Sequence, residues 1–254
     1  MNEPYTQQAF VFAGGAGTRM KNTYGAPKHL QPIQVGLQKR PVLAYLLENL
    51  SGYVDEIVVG VAYRARHIER YLRRLRWQVT PLRLPEVNNM GLNASYAATH
   101  LTGSVLAYVC GDTIIDQESC RHFLQNLSTL ITPDSPLALL LGVQSPDPSR
   151  STFDINQTGH ITAVRASQPT DLYRYSWLIA AVNRQYVAAW CQQTLWRSRQ
   201  EAGVTYTIWP VLAQQVLASG LSPRAMITNN TTFNINTLDD LRTAQSYLNN
   251  ASQS

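Results

Sequence analysis

An apolar run, Ala9-Phe10-Val11-Phe12-Ala13, passes directly into Gly14-Gly15-Ala16-Gly17-Thr18-Arg19-Met20. Three glycines in four positions let a ligand approach the backbone closely and present N–H groups in succession, an arrangement that cradles anions. Arg19 adds a forked cation whose geometry matches phosphate oxygens. The stretch lacks the Gly-Lys-Ser/Thr ending of a P-loop, and its spacing is not that of the dinucleotide fingerprint. Lys28, one of only three lysines, follows Ala26-Pro27 and precedes the apolar Leu30. Further on, Asp112 follows Gly111 at the end of the apolar run Val105–Cys110. A carboxylate at such a strand end can hold Mg²⁺ against phosphate oxygens. Asp116, four residues on, reads instead as the cap of a helix starting at Gln117.

These residues need a frame to bring them together. Ala9–Ala13, Glu56–Val61, Val105–Cys110, Leu137–Val143 and Tyr175–Val182 are unbroken apolar runs, the mark of strands covered on both faces. Helical patterns alternate with them at Pro41–Leu50, His67–Leu75, Asn93–Leu101, Gln117–Leu127, Arg184–Gln193, Ile208–Ser219 and Leu238–Leu248. Such alternation predicts an α/β fold, a mostly parallel sheet with helices on both sides. Thr152–Ile155 and His160–Val164, joined by Asn156-Gln157-Thr158-Gly159, read as an inserted hairpin. No linker or repeat divides the chain, so one domain over 1–254 is expected. In open α/β sheets ligands bind beyond the carboxyl ends of the strands, which is where the glycine loop and Asp112 fall.

Composition narrows the partners. Hydrophobic residues make up 44% and charged residues 15%, which excludes a disordered chain. No run approaches the ~18–20 apolar residues of a membrane-spanning helix. The polar stretch Met1–Gln8 has no basic region followed by an apolar one, so it does not read as a signal peptide. Cys110, Cys120 and Cys191 form neither a disulfide framework nor a metal pattern, and a cytoplasmic location is expected. The net charge is +5, with Arg64, Arg66, Arg70, Arg73, Arg74 and Arg76 crowded together. Ile68, Tyr71, Leu72 and Leu75 supply a buried stripe there, so these arginines read as a solvated helix face and not as a nucleic-acid surface. Trp177, Trp190, Trp196 and Trp209 read as packing residues, and the five histidines form no metal or catalytic pattern.

Taken together, GGAGTRM, a short spacer and PKHLQPI resemble the signature of the nucleotidyltransferases that join an NTP to a phosphorylated sugar, of the MobA-like NTP transferase type. The resemblance continues through Arg40-Pro41-Val42-Leu43, Glu56-Ile57-Val58-Val59, Ala62-Tyr63 and Val109-Cys110-Gly111-Asp112. It closes at Asn234-Ile235-Asn236-Thr237-Leu238-Asp239-Asp240-Leu241. It implies a single Rossmann-like three-layer domain with a mostly parallel mixed sheet, residues 1–130 binding the NTP and 131–254 the acceptor.

By that resemblance Ala13, Gly14, Gly15, Gly17 and Thr18 would bind nucleotide, with Glu86 near the base edge and Gly91 in a loop packed on the base. Arg19 would hold the leaving pyrophosphate and Lys28 the α-phosphate and acceptor phosphate. Asp112 would hold Mg²⁺, with Asn236 as a second, weaker ligand. Many relatives carry Glu-Lys-Pro after the hairpin, whereas this chain has Arg165-Ala166-Ser167-Gln168-Pro169. Arg165 and Asn183 are the expected acceptor contacts. The implied activity joins an NTP to a sugar 1-phosphate, giving an NDP-sugar and pyrophosphate. Two alternatives remain open: a cytidylyltransferase acting on phosphocholine or an alditol phosphate, and a non-catalytic relative that binds nucleotide and regulates a partner. The partners expected are an NTP and a phosphorylated small molecule, without nucleic acid or membrane, and with homo-oligomerisation left open.

Overall fold

The computed structural model describes residues 6–20, 26–75, 78–85, 90–144, 152–165, 174–191 and 208–251. The chain enters through β1 (Gln7–Phe12), a 3₁₀ turn at Lys28–Leu30, and a hairpin of β2 (Pro32–Val35) and β3 (Gln38–Pro41). Next come α1 (Val42–Leu50), β4 (Glu56–Val61), α2 (Ala65–Leu72), β5 (Val79–Arg83), α3 (Met90–His100) and β6 (Val105–Cys110). They are followed by β7 (Thr113–Ile114), α4 (Gln117–Gln125), α5 (Leu127–Leu130), β8 (Leu137–Gln144), β9 (Thr152–Ile155) and β10 (Ile161–Arg165). After these lie β11 (Arg174–Asn183), α6 (Arg184–Cys191), α7 (Ile208–Ala218), β12 (Arg224–Thr228), β13 (Phe233–Asn234) and α8 (Leu238–Ala251).

Seven strands form one sheet in the order β12-β8-β11-β6-β1-β4-β5. β11 runs antiparallel to both of its neighbours, and every other pairing in the sheet is parallel. This is the α/β architecture expected from the alternating runs. The sheet's two edges, β5 and β12, were not predicted, and the reason is physical. Edge strands are half exposed and need no continuous apolar run. Pro81 sits in β5, where a missing N–H is harmless because one side of the strand has no partner.

Alternate residues of β1 feed opposite layers. Ala9 and Val11 pack under Leu43, Leu46, Leu47 and Leu50 of α1, with Ile68 and Leu72 of α2 and Phe123 and Leu124 of α4. Phe10 and Phe12 face the other layer, with Ala94, Ala97 and Ala98 of α3, Val187 of α6 and Trp209 and Leu212 of α7. Tyr108 and Trp209 meet at a tilt, 4.9 Å apart, and Trp177 meets Trp209 edge-on at 5.8 Å, so these two tryptophans are packing residues, as expected. Trp196 and the side chain of Trp190 lie outside the described residues. A smaller cluster, Met20, Ile33, Val42, Ile114, Ile235 and Ala244, ties the β2–β3 hairpin and α8 to the carboxyl edge of the sheet. That third cluster is what fixes the site. No described helix is long and apolar enough to cross a membrane.

Candidate active site

The register sets the site's geometry. Phe12 of β1 lies opposite both Cys110 of β6 and Gly60 of β4. Two residues further on, Gly14, Asp112 and Ala62 therefore emerge side by side at the carboxyl edge. Backbone bonds pin them: Gly111 N–H donates to Phe12 O at 2.9 Å, Ala13 N–H to Gly60 O at 2.9 Å, and Tyr63 N–H to Gly14 O at 3.1 Å. A Cβ at Gly14 would stand 3.1 Å from both Ala62 Cβ and Leu84 Cδ1, a tight contact that would push on these neighbours.

Gly17 turns left-handed at φ +63°, and a Cβ there would stand 3.2 Å from Lys28 Cβ. The glycine thus lets the loop lie directly against the Lys28 stem. Lys28 opens the 3₁₀ turn after Pro27, and its ammonium donates to Asp112 Oδ2. Both side chains are largely shielded, at 15% and 7% exposure. Arg19, at the exposed end of the loop, donates from Nη2 to Asn236 Oδ1 at 2.7 Å.

Asn236 is held with equal care. Thr113 and Asn234 pair across β7 and β13, and Ile235 N–H donates to Asp112 O at 2.8 Å. Asp240 accepts from the N–H groups of Asn236 and Thr237 at 2.9 and 2.7 Å, while Thr237 Oγ1 accepts from Asp240 N–H. This reciprocal cap fixes the start of α8 and with it the Asn236 amide. Asp116 accepts from Ser119 N–H at 2.8 Å and so caps α4, as the sequence suggests.

His29 was not singled out by the sequence. Its side chain is buried, Nδ1 has no hydrogen-bond partner among the described residues, and Cδ2 would lie 3.2 Å from a Cβ at Gly111. Burial drives its pKa down to about 4; Asp112 opposes that shift and Lys28 adds to it. A neutral imidazole therefore backs the Lys28–Asp112 pair. Burial, reinforced by Asp112, pushes the Cys110 thiol far up, so it is no nucleophile.

Not every expected residue comes to the site. Asn183 closes the reversed strand β11 and lies opposite Val105, at the amino edge of the sheet. That is roughly 20 Å from Asp112 along the strands. Its Oδ1 accepts from Gln185 N–H at 3.2 Å, beside the start of α6, so its place is structural. Gly91 lies buried in the first turn of α3, not in a loop, because the helix starts at Met90 rather than near Asn93. Arg165 ends β10 opposite Thr152, and its side chain lies outside the described residues, as does Glu86.

A protein-only metal cage is absent: the described residues contain no group of three His, Cys, Asp or Glu able to share an ion. What they offer is the Asp112 carboxylate and the Asn236 amide oxygen on adjoining loops, with Asn234 Oδ1 buried nearby and without a partner among the described residues. Hard oxygen donors in this small number fit Mg²⁺, which takes one or two protein ligands beside substrate phosphates.

The model of the MobA-like NTP transferase domain matches residues 9–178, about two thirds of the chain. The chain belongs to that family. The family's chemistry is nucleotidyl transfer. No curated protein sequence matches it. Solved structures match across nearly the full length at low identity and so speak for the fold. One from Bacillus anthracis, described as a glucose-1-phosphate thymidylyltransferase and complexed with sucrose, is 14% identical with a TM-score of 0.76, covering 96% of each chain. The inositol-1-phosphate CTP transferase of T. maritima is 16% identical with a TM-score of 0.68, covering 97% of this chain and 96% of its own. HddC from Yersinia pseudotuberculosis, complexed with GMP-PN, is 17% identical with a TM-score of 0.64, covering 94% and 98%.

Proposed function

We propose that this MobA-like NTP transferase is a Mg²⁺-dependent enzyme that joins an NTP to a sugar 1-phosphate, releasing pyrophosphate and an NDP-sugar. The observation that carries this reading is the Lys28–Asp112 ion pair beside the glycine loop, with Arg19 on Asn236 next to it. Two cations and two oxygens converge on one end of the sheet's strands, where the phosphates of a bound NTP would satisfy the cations and its Mg²⁺ the oxygens.

An oxygen of the acceptor phosphate attacks the α-phosphorus. A new P–O bond forms as the bond to the β-phosphate oxygen breaks, and the electron pair leaves with pyrophosphate. The nucleophile is already anionic, so no general base is needed and positioning plus charge neutralisation carry the rate. Asp112 and Asn236 would hold Mg²⁺, which supplies Lewis-acid stabilisation of the phosphate charge. Lys28, released from Asp112, steadies the α-phosphate and the incoming acceptor phosphate. Arg19, released from Asn236, takes charge on the leaving pyrophosphate. His29 stays neutral beneath them and adds no competing cation.

In this proposal residues 1–130 serve the NTP and 131–254 the acceptor, and the enzyme works in the cytoplasm. In the second reading a cytidylyltransferase takes phosphocholine or an alditol phosphate in place of the sugar, because no lysine follows the hairpin in Arg165–Pro169. The decisive experiment measures pyrophosphate release across four NTPs, with sugar 1-phosphates, phosphocholine, alditol and inositol phosphates as acceptors. Mg²⁺-dependent release with a sugar 1-phosphate supports the first reading. Nucleotide binding without release from any pair would mark a regulatory relative.

A further inference from the structure

We propose that Tyr63 and Arg64 form the wall that receives the nucleoside end of the NTP and that Arg64 reads the base. This rests on the functional reading above and adds a specificity element to it. Arg64 is the one non-glycine residue with positive φ among those described, at +53°. A left-handed arginine is costly, and the tight turn closed by Ala65 N–H on Ala62 O at 3.1 Å holds Arg64 in it without any side-chain cap.

Placement gives the side chain a role. β1 has β6 on one side and β4 on the other, so the glycine loop is flanked by Asp112 on one hand and by Ala62-Tyr63-Arg64 on the other. Each step is one strand spacing, ~4.8 Å. Lys28, Arg19, Asp112 and Asn236 all pair on or beside the β6 side. The phosphates belong there, and a nucleotide crossing the glycine loop from that side meets Tyr63 next. Tyr63 is bonded through its N–H to Gly14 O, so the wall and the loop move as one piece.

Chemistry fits the nucleoside end. The Arg64 guanidinium lies 5.3 Å from the Tyr63 ring centroid, and its Nε donates to Tyr63 Oη at 3.0 Å. Both residues are exposed to solvent. The pair offers a flat aromatic–cation face with outward N–H donors, which can stack on a ring and donate to carbonyl oxygens. It favours bases with a ring carbonyl (guanine, cytosine, uracil, thymine) over adenine, which has none.

The left-handed backbone makes a clean experiment possible. Arg64→Gly removes the side chain while relieving the backbone, so a structural role and a ligand role pull in opposite directions. Binding of ATP, GTP, CTP, UTP and inorganic pyrophosphate to wild-type, Arg64→Gly, Arg64→Lys and Lys28→Ala proteins is measured by calorimetry, with melting temperatures alongside. Arg64→Gly should melt no lower than wild type, bind the preferred NTP about tenfold more weakly and lose most of its preference over ATP. Arg64→Lys should keep more affinity than Arg64→Gly but not the preference. Pyrophosphate, which has no nucleoside, should bind Arg64→Gly as it binds wild type. Undiminished NTP affinity and preference in Arg64→Gly, with Lys28→Ala impaired, overturns the wall alone. A wild-type protein that binds no nucleotide overturns the functional reading and the wall together.

Discussion

Arg19 and Asn236 lie 217 positions apart in the chain and are joined by a 2.7 Å hydrogen bond from guanidinium to amide oxygen. Lys28 and Asp112 form a parallel pair beside them. Each phosphate-binding cation of the proposed site thus rests on one of its metal-binding oxygens, and substrate must separate both pairs to bind. The consequences are measurable.

Removing either cation should remove a preorganised charge stabiliser. Lys28→Ala and Arg19→Ala are each expected to lower kcat/KM for nucleotidyl transfer by at least ~10²-fold. Wild-type turnover in both would discard the site as drawn.

Lys28 also has a structural duty. Lys28→Met leaves the Asp112 carboxylate, with its side chain 7% exposed, without its cation. Stranding a shielded charge should destabilise the metal-free protein by roughly 3 kcal/mol, and Mg²⁺ should recover part of that loss by giving the carboxylate a new partner. Melting curves with and without Mg²⁺ distinguish this from a merely catalytic role.

The two oxygen ligands should not count equally. Asp112→Asn is expected to abolish Mg²⁺-dependent turnover. Asn236→Ala should retain a reduced rate that higher Mg²⁺ partly restores, and Asn236→Asp should tighten the metal by adding charge at a placed oxygen. An Asp112→Asn enzyme with an ordinary Mg²⁺ titration would contradict the assignment.

Gly17→Ala combines a left-handed backbone with a Cβ 3.2 Å from the Lys28 stem. A stability loss of about 1 kcal/mol is expected from the backbone alone. Displacement of Lys28 should add a fall in kcat/KM that Gly36→Ala does not produce, because Gly36, also left-handed at φ +56°, has open space around it.

His29 sets a pH dependence with a definite sign. Its folded pKa of about 4 lies below the ordinary histidine value of about 6.5, so the unfolded chain takes up a proton first as pH falls. Stability of the metal-free protein should therefore drop between about pH 6.5 and 4, by roughly 3 kcal/mol in total from this group, then level off. His29→Gln should flatten that slope in urea titrations run across the window; an unchanged slope would show that His29 is not the source.

The sheet's centre and half of the site were legible in the sequence for the same reason. Strands buried on both faces must be apolar throughout, and a strand end carrying Gly-Gly-Ala-Gly or Gly-Asp is conspicuous against them. β5 and β12 escaped because an edge strand is under no such constraint. Asn183 was misplaced because an apolar run carries no record of its direction, and the reversal of β11 sends that end to the far side of the sheet. His29 and the left-handed Arg64 left no trace in residue type at all. Their character comes from enclosure and backbone angle, which only the assembled tertiary structure supplies.

Ribosomal synthesis releases the chain from residue 1 onward, and the β7–β13 ladder gives that order a meaning. Lys28 and Asp112 can meet once the first four parallel strands have emerged, since β1, β4, β5 and β6 are all drawn from the first 110 residues. Arg19 must wait for a partner that follows more than a hundred residues later, delivered by β13 and locked by the Thr237–Asp240 cap. The nascent protein therefore has four of its seven sheet strands well before the proposed second oxygen ligand, and it can begin to bury a core while that site is still incomplete.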